Sequence, residues 1–205
     1  MNARTGRIAA LIAVLAMLGW LGVSAPGRFD REALQLANAW RSAPLDAAFA
    51  SVTWLGSLLV LLPLVAAVGI SLWRQGHRGE ARFLMAALLG ASALAEGAKQ
   101  MVQRPRPDLF AALTPVLSPF SFPSAHAVQV TAVAAAVWVL AGHLAPRHRR
   151  RAVPVLVLIV MLVDLSRIYL QVHYPSDVLA GTIAGACWVA GLRLWMLKAG
   201  RPTHA

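Results

Sequence analysis

Residues 152–172 read AVPVLVLIVMLVDLSRIYLQV, an apolar run of 21 residues whose ionisable members, Asp164 and Arg167, stand near its far end. Crossing about 30 Å of hydrocarbon takes roughly 20 apolar residues wound as a helix. Working outward, Ile8–Val23, Trp54–Trp73, Ala81–Val102, Ser124–Leu144 and Ser176–Leu197 pass the same test, which makes six expected spans with Ala152–Val172. The 205-residue chain is 59% hydrophobic and only 13% charged. Soluble domains carry about 25% charged residues. This composition excludes disorder, a coiled coil, a disulfide-stapled mini-protein and most soluble enzymes. The expected fold class is all-α: a polytopic membrane protein of six transmembrane helices, one domain over 1–205. Ile8–Val23 also resembles a signal peptide, with Arg4 and Arg7 before it and Val23-Ser24-Ala25 after it. Pro26 beside that site argues against cleavage, so the stretch is read as a retained span. The single Cys187 excludes an internal disulfide and a cysteine-based metal site.

A formal net charge of +11 raises nucleic acid as a partner in a soluble chain. Here the placement of the charges favours a membrane orientation signal. Twelve Lys and Arg, from Arg4 and Arg7 through Arg74, Arg78 and Arg82 and Arg147–Arg151 to Arg193, Lys198 and Arg201, fall on one side. The other side holds seven: Arg28, Arg31, Arg41, Lys99, Arg104, Arg106 and Arg167. The positive-inside rule then puts both termini in the cytoplasm. The partners expected are the bilayer and a membrane lipid, not nucleic acid. Trp20, Trp54, Trp73 and Trp195 fall near span ends, as an aromatic belt does.

Two outer segments are not spans. Phe29–Arg41 places Phe29, Ala33, Leu36, Ala37 and Trp40 on one helical face and its charges elsewhere, the pattern of a helix lying in the interface. Gln103–Pro123 holds five prolines and cannot be a regular helix. A loop of that length in a compact protein is usually functional or disordered.

Ionisable residues at span ends on one side are functional candidates. Lys99 closes the third span, Arg106 begins the loop, and Ser124 and His126 open the fourth span. Arg167 lies one turn from the end of the fifth, His173 follows in the turn, and Asp177 opens the sixth. Singly, a Lys or Arg at a helix end is usually a snorkelling anchor, and a Ser at a helix start an N-cap. Together they deliver cations, imidazoles, a hydroxyl and a carboxylate to one depth on one face.

Their spacing is Lys99-x6-Arg106-Pro107, then Pro123-Ser124-Ala125-His126, then Ser166-Arg167-x5-His173-x3-Asp177. This resembles the three-part signature of the type 2 phosphatidic acid phosphatase superfamily, over 99–177 and in the right order. The six-span layout is similar to its lipid-phosphatase branch. One departure is Ala125, where the family has Gly; that position serves through its backbone N–H, which Ala retains.

Phosphoryl transfer spreads charge over the equatorial oxygens, so the protein's task is positioning and electrostatic stabilisation. Arg106 and Arg167 offer forked N–H donors, Lys99 a point charge, Ser124 a hydroxyl, and the helix opening at Ala125 outward-pointing N–H groups. The resemblance implies that His173 forms a phosphohistidine, with Asp177 hydrogen-bonded to its other ring nitrogen. It implies that His126 protonates the leaving alkoxide and then activates water. His126, His173 and Asp177 also suit a two-His-one-carboxylate metal site. Three adjacent cations would repel the ion, so no metal or other cofactor is expected.

Glu96 lies three residues before Lys99 and Asp164 three before Arg167, a spacing that permits contact. Both are expected to neutralise those cations, and further to aim them outward. The function expected is a membrane lipid phosphatase, metal-independent, cleaving a lipid phosphate or diphosphate at the outer leaflet. In a bacterium that is the periplasmic face of the inner membrane. The rivals are a phosphotransferase using the same histidine, which would need an acceptor hydroxyl, and an inactive lipid-binding or transport protein. The second would not need His173, His126 and Asp177 together.

Overall fold

The computed structural model describes residues 25–199, together with Gly19. Along the described residues run α1 (Arg28–Ala39), α2 (Ala43–Val52), a 3-10 turn (Thr53–Gly56), α3 (Leu58–Arg74), α4 (Arg78–Val102), α5 (Ala125–Leu144), α6 (Pro146–Tyr169) and α7 (Pro175–Ala199). The all-α expectation holds. Four of these, α4 to α7, are long and apolar enough to cross a membrane. The segments Ala43–Gly56 and Leu58–Arg74 make a fifth candidate if taken as one broken span, bent by 44°. The expected span Ile8–Val23 falls outside the described residues apart from Gly19.

One expected span is corrected. Trp54–Trp73 is expected as one span, but the chain breaks at Ser57, which leaves helical geometry and accepts a hydrogen bond from Leu59 N at 3.2 Å through its hydroxyl. A side-chain cap of this kind starts a new helix rather than continuing the old one. The break leaves Thr53 in a short turn, where it meets the site described below.

The core lies between α4, α5 and α7, where Leu84, Leu88, Ala91, Val128, Ala132 and Val189 are buried. Small residues let these backbones approach closely, which is how spans associate where lipid competes for apolar contact. Between α5 and α7 two glycines of α7 lie against the backbone of the α5 segment. A Cβ added at Gly181 would lie 2.8 Å from Ser124 O, and one at Gly185 2.5 Å from Val128 O.

The loop between α4 and α5 is closed at its base. Ser121 N donates to Arg104 O at 2.7 Å, Ser121 Oγ donates to Pro105 O at 3.0 Å, and Pro105 bridges to Phe120. Phe122 is buried against Ala180 and Ala184. Helix α1 exposes Phe29, Leu36 and Trp40 and buries Asp30 and Leu34. Its apolar face thus points away from the protein, as suits a helix resting in the membrane interface, while an acid points in.

Candidate active site

Three chain segments meet at one end of the bundle. The last turn of α4 brings Lys99, and the αL residue Gln103 (φ 52°) then turns the chain into Arg104-Pro105-Arg106-Pro107. The start of α5 brings Ser124, Ala125 and His126, and the end of α6 brings Arg167. Gln171 (φ 60°) reverses the chain into His173, and the first turn of α7 carries Asp177. Non-glycine residues in the left-handed region are uncommon and gather at functional sites. Both of these flank the cluster. Ser124 N donates to the Asp177 backbone carbonyl at 3.1 Å, so the acid-bearing turn and the start of α5 are tied directly.

All the expected phosphate-binding side chains except Arg106 are buried: Lys99 is 6% exposed, Arg167 5% and Ser124 0%. None of Lys99, Arg106 and Arg167 forms an ion pair among the described residues. Arg167 Nη1 donates to Thr53 Oγ1 at 2.6 Å, and its Nε has no partner there. Arg106 Nε donates to Ser118 O at 2.8 Å and its Nη1 to Val172 O at 2.7 Å. The same Nη1 stands 3.3 Å from His173 Nε2. Ser124 occupies the N-cap position of α5 but its Oγ makes no cap bond, so the hydroxyl is not spent on starting the helix. Buried polar groups without partners are rare, and each calls for an explanation.

His173 is 2% exposed, with Nε2 turned to the cations and Nδ1 turned to Asp177. The expected hydrogen bond between them is not closed: Nδ1 lies 3.7 Å from Asp177 Oδ2, which instead accepts from Tyr174 N at 2.9 Å. Unliganded catalytic hydrogen bonds are often long and tighten with substrate. Burial first, then the charges of Arg167, Arg106 and Lys99, hold the His173 imidazole well below its ordinary value. A lowered value keeps the ring neutral as pH falls through the usual histidine range. The expected result is that ¹⁵N shifts of His173 in the phosphate-free protein are still those of neutral imidazole at about pH 6.5, the ordinary histidine midpoint. Protonation with a midpoint near 6.5 would contradict it. His126, half-buried on the first turn of α5, stands within electrostatic reach of Arg167, His173, Lys99 and Arg106.

The two carboxylates expected beneath the cations bond elsewhere. Glu96 accepts from Gln100 Nε2 at 2.7 Å, one residue beyond Lys99. Asp164 accepts from Thr182 Oγ1 at 2.7 Å and lines an apolar groove of about 520 Å³ with Thr131, Trp138 and Met161. The i,i+3 spacing allowed the contacts, but neighbouring side chains of better reach took the acids. Neutralisation of Lys99 and Arg167 by these carboxylates is therefore not realised as an ion pair.

Arg104 opens an Arg-Pro pair that Arg106-Pro107 repeats two residues on. It is 5% exposed, its Nη1 donates to Asp177 Oδ1 at 2.6 Å and to Ser176 Oγ at 2.8 Å, and it packs over the Tyr174 ring at 4.6 Å. Its Nη2 donates to Asp30 Oδ2 at 3.3 Å. Arg104 holds the loop. Asp30 and Thr53 were missed. The repeat of Arg-Pro at 104 and 106 hinted at Arg104, whereas nothing local singles out Thr53.

The sequence model of the PAP2 superfamily matches residues 80–201. Phosphatidylglycerophosphatase B of Bacillus subtilis is 32% identical over 168 residues, covering 79% of this chain and 78% of that protein. Decaprenylphosphoryl-5-phosphoribose phosphatase of Mycobacterium tuberculosis is 44% identical over 98 residues, covering 47% of this chain and 50% of that protein. Among solved structures, the transmembrane PAP2-type phosphatidylglycerolphosphate phosphatase from Bacillus subtilis superposes with a TM-score of 0.82 at 25% identity, over 93% of this chain and 98% of that one. Aquifex aeolicus LpxE gives 0.62 at 28% identity, over 79% of this chain and 93% of that one. The matched region contains the whole cluster from Lys99 to Asp177, and the chain belongs to the PAP2 superfamily.

Proposed function

We propose that this protein is a lipid phosphatase of the membrane, hydrolysing a lipid phosphate or diphosphate through a phosphohistidine at His173. The observation that carries the reading is the set of three cations, Lys99, Arg106 and Arg167, gathered around the buried His173 imidazole without an ion pair among the described residues. Charges held away from water without a counterion are expensive. An anion bearing two negative charges offsets that cost, and a phosphomonoester is such an anion.

The reaction runs in line. The lone pair of His173 Nε2 forms the P–N bond as the P–O bond to the lipid breaks, and His126 gives the departing alkoxide its proton. Water then attacks phosphorus, His126 takes the proton back, and the P–N bond breaks to release inorganic phosphate. Asp177 faces Nδ1 and stabilises the charge that grows on the ring. Lys99, Arg106, Arg167, the Ser124 hydroxyl and the first-turn N–H groups from Ala125 onward hold the equatorial oxygens. Those N–H groups have no acceptor within the helix.

The phosphatidylglycerophosphatase and decaprenylphosphoryl-5-phosphoribose phosphatase relatives are named for lipid phosphates, which supports a lipid substrate here. The charge asymmetry of the connecting segments supports both termini in the cytoplasm and the site at the outer leaflet, which in a bacterium is the periplasmic side of the inner membrane. The test is phosphate release by the detergent-purified chain from phosphatidylglycerophosphate, phosphatidic acid, polyprenyl diphosphate and lipid A phosphate, with and without EDTA. Free phosphate from at least one, without an added acceptor and at an undiminished rate in EDTA, is expected. Failure on every lipid overturns the reading. Loss on chelation with recovery on adding a divalent metal overturns the metal-independent mechanism.

A further inference from the structure

We infer that Asp30 and Arg104 are positioning residues for the histidine–carboxylate pair, a buried strut running from the interfacial helix α1 to His173. The inference rests on the catalytic reading above and extends it to two residues outside the three-part signature.

The strut is continuous. Asp30 Oδ1 accepts from Ser176 N at 2.9 Å, and its Oδ2 accepts from Ser176 Oγ at 2.8 Å and from Arg104 Nη2 at 3.3 Å. Arg104 Nη1 passes the connection to Asp177 Oδ1 at 2.6 Å. Asp177 Oδ2 faces His173 Nδ1. Asp30, Arg104 and Asp177 are 4%, 5% and 0% exposed. A second contact runs beside the first: Gln171 Nε2 donates to Leu34 O of α1 at 3.1 Å, gripping the left-handed residue that turns the chain into His173. Helix α1 therefore holds the catalytic turn on both sides of the histidine.

A buried acid–arginine–acid chain is a poor device for stability, because desolvation offsets most of its attraction. It is a good device for geometry, since Arg offers planar, forked donors that fix both acids at once. Without Arg104, Asp177 has one backbone donor, Tyr174 N, to hold its carboxylate. With it, Oδ1 is pinned as well, and Oδ2, which accepts from Tyr174 N, is held facing the imidazole. Asp30 also supplies a charge beside the first N–H groups of α7, where an anion is favoured by the helix dipole.

Neither residue touches the cation cup, so the strut should act on turnover and leave phosphate affinity alone. The experiment measures kcat and KM for dioctanoyl phosphatidic acid, and the inhibition constant of inorganic phosphate, on the full chain. Variants are Asp30→Asn, Arg104→Met, the double substitution, and His173→Ala as reference. For Asp30→Asn the expected result is a fall in kcat of about tenfold with KM and phosphate inhibition within about twofold, and a double variant no slower than Arg104→Met alone. If Arg104→Met does not fold, Ser176→Ala removes the hydroxyl that bonds both Asp30 and Arg104, and is expected to lower kcat a few-fold at unchanged KM. Wild-type kcat in Asp30→Asn beside an inactive His173→Ala overturns the strut alone. Losses that multiply in the double variant, or that appear in KM and phosphate inhibition, also overturn it. An active His173→Ala overturns the catalytic reading beneath it.

Discussion

His173→Ala is expected to lower lipid phosphate hydrolysis by at least about 10⁴-fold, the scale seen when a nucleophile is removed from a catalytic set that acts as a unit. The reason lies in what surrounds the ring. Its Nε2 faces the guanidinium of Arg106, while Nδ1 faces Asp177. In the proposed mechanism, phosphate drawn onto the cations meets the Nε2 lone pair. In that mechanism the alternative nucleophile, water, would need a base already aimed at phosphorus, and His126 serves the leaving oxygen first. Inorganic phosphate should still compete in this variant, because Lys99, Arg106 and Arg167 are intact. Activity within tenfold of wild type would remove the phosphohistidine step, whereas loss of phosphate competition would show only that the fold had suffered.

Gly185→Ala is the second large effect expected, from a residue that touches no substrate. Its new methyl carbon would sit 2.5 Å from Val128 O and 3.2 Å from Ala132 N, both main-chain atoms of α5. A side chain can rotate away from such a clash, but a helix backbone must translate. Overpacking of this kind costs about 1–3 kcal/mol, and here the translation separates the two halves of the site. Ser124 and His126 ride on α5, Asp177 rides on α7, and the bond from Ser124 N to Asp177 O joins them. A displacement of about 1 Å between reacting groups can cost 10²-fold, so kcat should fall by about that factor. The matched control is Gly97→Ala, where an added Cβ meets nothing within 4 Å. Equal activity in the two variants would show that the α5–α7 approach does not set the site.

The residues that bear charge toward the cup were legible because their chemistry needs fixed types at span ends, and span ends are readable from hydropathy. Lys99, Arg106, Ser124, His126, Arg167, His173 and Asp177 all come from three separate segments to one end of the bundle. Asp30 was not legible, since an amphipathic pattern says which residues differ from which, not which side faces the protein. In water the apolar side of α1 would turn inward; against a membrane it turns outward, and the acid goes in. Thr53 stands just before the expected span Trp54–Trp73, and nothing local shows that a break at Ser57 leaves it in a turn beside Arg167. Glu96 and Asp164 failed for a different reason. Spacing along one helix permits a contact but does not weigh it against Gln100 on the same turn or Thr182 on another span.

Arg106 joins two tasks that are usually divided between residues. Its donors to Ser118 O and Val172 O brace the proline-rich loop against the catalytic turn, while the same group presents charge beside the imidazole. A lysine there would keep the electrostatic field and lose the brace, because an ammonium cannot span two carbonyls on opposite walls with a planar fork. Charge and architecture are inseparable at that position: keystone and source of field are a single guanidinium.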